Sequence, residues 1–112
     1  MDPETGFYNM DFAGYLKGLI AKNLYAPCSA MSFTLDSPEN MTDFSKLLKA
    51  QLPEDCEPIL RNDHEIVVLT NVRDRGPLTM VIEDVKAVSD VKTGCTLKKK
   101  EETAGEFLER VL

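Results

Sequence analysis

Glu65-Ile66-Val67-Val68-Leu69-Thr70 is the stretch from which the fold can be read. Its four central residues are all apolar, so an extended segment here must be covered on both faces, and it predicts the central strand of a sheet. Just before it, Asn62-Asp63-His64 is polar, and Pro58 to Arg61 is short and mixed. A strand, a turn and a longer strand in that order predict a β-hairpin. Asn62 and Asp63 both tolerate left-handed backbone geometry, which suits a tight turn.

Working outward, periodicity places the other elements. Phe12, Tyr15, Leu16, Leu19, Ile20 and Leu24 recur at three- and four-residue steps, predicting an amphipathic helix over 11–24 closed by Pro27. Met31, Phe33 and Leu35 alternate with small or polar residues, the period of a strand over 28–35. Ser37-Pro38 offers an N-cap with proline in the first turn of a helix over 39–52, carrying Met41, Phe44, Leu47, Leu48 and Leu52 and ended by Pro53. After Gly76-Pro77, the residues Leu78, Val81, Ile82, Val85 and Val88 predict a helix over 77–89. Val91, Thr93, Cys95 and Leu97 then alternate as a last strand. Thr103 and Glu106 have capping-box spacing and open a helix over 103–112.

The resulting order is helix, β-α-β-β-α-β, helix. It predicts an α+β fold: a ferredoxin-like antiparallel sheet with two helices packed on one face, plus extra N- and C-terminal helices. At 112 residues and 43% hydrophobic, the chain fits one domain, 1–112, with a core of its own. Many unrelated activities sit on ferredoxin-like sheets, so function has to come from the site.

Charge and cysteines narrow the classes. With 19 acids against 13 bases the net charge is −6, which removes the general attraction behind non-specific nucleic-acid binding. The run Lys98 to Lys100 is followed at once by Glu101 and Glu102 and reads as a solvated strand end. Cys28, Cys56 and Cys95 are widely spaced, without the C-x-x-C pairing of zinc or redox sites, and Cys95 reads as core. No apolar run approaches a membrane span and no secretory pattern opens the chain, so a reduced, cytoplasmic setting without membrane contact is expected.

Two landmarks carry a family resemblance. Asp2-Pro-Glu-Thr-Gly-Phe-Tyr-Asn9 resembles the D-P-L-T-G-L-Y-N-R opening of GGDEF domains, which condense two GTP molecules into cyclic di-GMP. Arg61-Asn-Asp-His-Glu-Ile-Val-Val-Leu69 sits where that family carries its G-G-D/E-E-F hairpin and buried strand. The resemblance implies the same ferredoxin-like, palm-type architecture. It also implies a bacterial signalling protein, and a longer one, since a sensory domain and linker helix often precede the opening motif.

Set against the family pattern, the implied active site is degenerate. Asn62 and Asp63 replace the glycines, His64 the next acid and Ile66 the aromatic, leaving Glu65. Working members follow the first strand with D-x-D-x-F-K-x-I-N-D and G-H-x-x-G-D, whose acids hold magnesium ions against the triphosphate and whose polar residues read guanine. Here that place holds Thr34-Leu35-Asp36-Ser37-Pro38-Glu39-Asn40, with one acid at the strand end, Asp36. About 26 positions separate Asp36 from the hairpin where the pattern needs on the order of 40, so roughly one helix and loop are missing. Pro53-Glu-Asp-Cys56 stands in place of the R-x-x-D product-inhibition motif.

The expectation is a domain without cyclase activity, with Asn62, Asp63, His64 and Glu65 as a vestigial hairpin site and no cofactor. Asp36 and Glu65 are the candidates for any residual metal site, although two carboxylates hold magnesium poorly. An acid before Ser-Pro also suits a turn, and a histidine in a hairpin turn is commonly just solvated. A protein partner or self-association is expected in place of catalysis. Phe7, Leu24 and Tyr25 are the candidate interaction residues, with core burial as the competing role for each. Two other classes stay open: a sensor that binds GTP or cyclic di-GMP without turnover, and a residual enzyme using Asp36, His64 and Glu65 around a metal.

Overall fold

The computed structural model describes residues 7–52 and 56–112. Asp2 to Gly6 of the opening motif, and Pro53, Glu54 and Asp55 at the predicted helix stop, lie outside the described residues. The elements run α1 (Asp11–Ala21), β1 (Ser29–Thr34), α2 (Met41–Gln51), β2 (Glu57–Asn62), β3 (Glu65–Thr70), α3 (Arg75–Val88), β4 (Lys92–Leu97) and α4 (Ala104–Val111). The strands form one antiparallel sheet in the order β2-β3-β1-β4. This is the predicted α+β, ferredoxin-like arrangement.

β3 holds an interior position because its side chains serve two cores. Ile66 and Val68 meet Met31, Phe33, Phe44, Leu48, Leu78 and Val85 on the face covered by α2 and α3. Val67 and Leu69 meet Leu16, Ala30, Ile59, Phe107 and Leu108 on the face covered by α1 and α4. The terminal helices thus close the second face of the sheet, making three layers. Burying a Val, Leu or Ile side chain is worth roughly 1.5–3 kcal/mol, so the four consecutive apolar residues of β3 tie both cores together.

Helix ends follow local chemistry. α1 stops at Ala21, short of Pro27, because Asn23 adopts a left-handed conformation with φ of 59°. The Leu24 amide donates to the Leu19 carbonyl at 2.9 Å and the Asn23 amide to Ile20 at 3.0 Å, the paired bonds of a Schellman stop. The predicted stripe correspondingly overreaches: Tyr15 is 60% and Leu24 69% exposed. Tyr15 instead extends a stack in which Tyr8 and Phe12 lie 3.7 Å apart and Phe12 and Tyr15 5.4 Å apart.

α3 begins earlier than Gly76-Pro77 suggests. Asp74 caps it by accepting from the Gly76 amide at 3.2 Å, so the proline falls inside the first turn, where no intrahelical donor is required of it. Ser37 caps a single 3₁₀ turn, Pro38–Asn40, that leads into α2. The capping box of α4 forms as its spacing predicts, with Thr103 Oγ1 accepting from the Glu106 amide and the Glu106 carboxylate from the Thr103 amide, both at 3.1 Å.

One contact was not legible beforehand. Tyr8 pairs in parallel with Ile59 on the free side of β2, with the Leu60 amide donating to the Tyr8 carbonyl at 2.7 Å. This extension turns Phe7 into one core and Tyr8 toward the other. Phe7 is 1% exposed and so is core, not surface.

Candidate functional site

The hairpin places its residues by a bulge and a side-chain turn. Asp63 and His64 form the two-residue loop between Asn62 and Glu65, and the β2–β3 register shifts between Leu60 and Asn62. Among the described non-glycine residues only Asn23 has a positive φ, so the left-handed geometry expected of Asn62 and Asp63 is not used. Asn62 Oδ1 instead accepts from the His64 amide at 3.1 Å. The bulge absorbs the twist that a turn without left-handed residues would otherwise splay.

Glu65 is held by its neighbours. Thr34, its register partner across β1, donates from Oγ1 to Oε2 at 3.4 Å, Asn62 Nδ2 donates to Oε1 at 3.5 Å, and Arg61 Nε lies 3.5 Å from the same oxygen. His64 Nδ1 lies 2.8 Å from Asp63 Oδ1, on the exposed turn. The Leu35 amide donates to the His64 carbonyl at 2.8 Å, which fixes the strand end that leads into Asp36.

Asp36 and Glu65, the two candidate metal acids, serve different clefts. Asp36 lines one of about 460 Å³ beside α2 and the end of α3, with Asn40, Asp43, Ser89 and Asp90. Glu65 lines one of about 210 Å³ over Ala30, Ser32 and Val67, on the face of the sheet that α1 and α4 cover, with Arg61, Thr96 and Arg110. Among the described residues no three His, Cys, Asp or Glu side chains converge as a metal would need. The hairpin brings Asn62, Asp63, His64 and Glu65 together, while Asp36, one residue beyond the Leu35 that bonds His64, lines the other cleft.

Of the interaction candidates, Leu24 alone is exposed; Phe7 is core and Tyr25 packs against the α1/α4 side. The Tyr25 hydroxyl is buried without a hydrogen-bond partner among the described residues. Burial, then the nearby Glu57 carboxylate, pushes its pKa well above the ordinary tyrosine value. Cys95 lies against the α2/α3 core, and burial raises its thiol pKa although Arg75 opposes this.

Periodicity missed the cleft residues Arg61, Ser32 and Arg110. Arg110 is positioned by Glu102, through Nε to Oε2 at 2.8 Å and Nη2 to Oε1 at 2.9 Å, while Nη2 also donates to the Leu97 carbonyl at 3.1 Å. The only advance signal was an acid eight residues before an arginine across a helix start, which is too common to single out.

The fold is that of GGDEF domains. The GGDEF domain of FimX from Pseudomonas aeruginosa superposes with a TM-score of 0.74 at 15% identity, over 99% of this chain and 88% of that one. The S helix-GGDEF-EAL portion of Vibrio cholerae LapD, solved bound to c-di-GMP, superposes with a TM-score of 0.72 at 12% identity over 92% of this chain. This chain spans 30% of the length of that LapD chain. No family model matches the sequence, and no curated protein matches it. Among the described residues no helix is long and apolar enough to cross a membrane.

Proposed function

We propose that this GGDEF-fold domain lacks cyclase activity and acts as a regulatory or protein-interaction module of a bacterial signalling protein, in the cytoplasm. The observation that carries the reading is the separation of Asp36 and Glu65 into different clefts. Condensing two nucleotides needs metal ions held against the triphosphate by converging acids. Here one of the two acids faces α2, while the other is engaged by Thr34, Asn62 and Arg61.

Phosphate approach is also poorly served. Glycines let phosphate come close to the backbone, and the hairpin offers Asn62, Asp63 and His64 in their place. A carboxylate at Asp63 repels the triphosphate it would have to meet.

Thermal melting with GTP or cyclic di-GMP, each with magnesium, tests the reading, since any ligand of the folded state raises the melting temperature. The expected result is no ligand-dependent shift, with light scattering revealing association with the flanking region, a co-encoded protein or a second copy. A saturable shift with either nucleotide, in a strict monomer, would replace this reading with the sensor.

A further inference from the structure

At the end of the sheet away from the hairpin, the chain gathers cations that its overall charge does not announce. The Cys28 amide donates to the Thr70 carbonyl and its own carbonyl accepts from the Lys98 amide at 2.8 Å, so Cys28 bridges the ends of β3 and β4. Around it open two depressions. One, of about 340 Å³, is lined by Arg73, Leu97 and Lys98 to Lys100; the other, of about 380 Å³, runs to Leu24 at the stop of α1. Both are lined by Cys28 and Arg73, so they adjoin as the two halves of a trough.

The cations differ in availability. Lys98 Nζ is committed to the Lys99 and Glu102 carbonyls at 3.2 and 2.8 Å. Among the described residues, Arg73, Lys99 and Lys100 enter no ion pair. Beside them the lining is mixed, with Cys28 and Leu97 in the first depression and the 69% exposed Leu24, Tyr25, Asn23 and Asn71 in the second.

We propose that this trough docks an acidic peptide segment of a partner protein, with carboxylates against Arg73, Lys99 and Lys100 and an apolar side chain against Leu24 and Cys28. The proposal rests on the interaction reading above and supplies its partner chemistry. Charge complementarity selects an acidic segment. The loop's backbone offers little of a phosphate cradle, because three of the five amides of residues 98–102 are taken internally, leaving those of Lys100 and Glu101: Lys98 donates to the Cys28 carbonyl, Lys99 to Glu102 Oε1 at 3.0 Å, and Glu102 to the Lys99 carbonyl at 3.1 Å. A nucleic acid would extend past the trough onto a molecule of net charge −6 and be repelled there.

The test is titration of the nitrogen-15 labelled chain with a synthetic Glu-Leu-Glu-Glu-Leu-Glu peptide, followed by amide resonances. Shifts are expected to concentrate at residues 23–28, 71–73 and 97–102, with affinity falling as salt is raised. Arg73→Glu, Lys99→Glu and Lys100→Glu together should weaken binding by roughly tenfold or more with an unchanged circular dichroism spectrum, and Leu24→Ser severalfold. A flat titration, shifts centred elsewhere, or an undiminished response in the triple variant would overturn the proposal. So would tighter binding of inorganic phosphate or of a single-stranded oligonucleotide at the same place. Cyclase activity at the hairpin would remove the reading above and leave this trough standing; a flat titration would remove this proposal alone.

Discussion

Gly94 sits directly opposite Ser32 in the β1–β4 ladder, so close that a Cβ on Gly94 would lie 2.7 Å from Ser32 Oγ. Glycine in a strand interior ordinarily weakens it, so its presence here has a local cause. The serine hydroxyl fills the space that a side chain would need.

Gly94→Ala should therefore destabilise the domain by about 1–2 kcal/mol through the forced contact. In a Ser32→Ala background the same change should cost nothing or stabilise. Urea unfolding of the four proteins of this cycle reads the coupling, expected at about 1–2 kcal/mol. Additive changes would mean that the hydroxyl simply rotates away.

Tyr25→Phe removes a buried hydroxyl that has no partner among the described residues and should raise stability by about 1 kcal/mol. It should also alter the alkaline limb of the stability profile. The folded-state pKa of Tyr25 is raised, so its contribution is intact below the ordinary value of about 10 and is lost as pH climbs beyond it. Thermal melts from neutral to alkaline pH should show a loss in the parent that is smaller in Tyr25→Phe. A clear destabilisation by the substitution at neutral pH would show that the hydroxyl is bonded after all.

Glu102 governs part of the acid limb. The hydrogen bonds from Arg110, then the Lys99 amide, hold its carboxyl at about 2, below the ordinary value of 4.5. A depressed folded-state pKa gives stability that is present above 4.5 and is lost as pH falls toward about 2. Glu102→Gln should flatten the melting-temperature profile in that window, leaving the slope above it unchanged. Identical acid profiles for the two proteins would mean that the Arg110 pairing contributes nothing in solution.

The fold was legible wherever side-chain period and burial coincide. Ile66 to Leu69 announced an interior strand because no other placement hides four consecutive apolar residues, and Thr103 with Glu106 announced a helix start because both partners of the box lie in the sequence. Helix stops were less legible. Asn23 ends α1 through its backbone conformation, which the residue permits without advertising, so the stripe continued on paper to Leu24.

At the site, residue types were legible and their directions were not. The family resemblance paired Asp36 with Glu65 as candidate metal acids, and the two line separate clefts, a matter of side-chain direction that residue type does not disclose. For Phe7 both surface and core stood open in the sequence, because the pairing of Tyr8 with β2 that buries it involves backbone groups that leave no pattern in side chains. Lys98 to Lys100 do follow the end of β4, with Lys99 and Lys100 exposed, and the depression they line was not legible because Cys28 and Arg73 come from distant parts of the chain.

The central claim is that a GGDEF-type fold persists here without its chemistry, and product formation tests it most directly. The purified chain is incubated with GTP and magnesium or manganese, and cyclic di-GMP is measured by chromatography and mass spectrometry. The account predicts none above a protein-free control. Cyclic di-GMP that forms with the parent and disappears in Asp36→Ala or Glu65→Ala would contradict it.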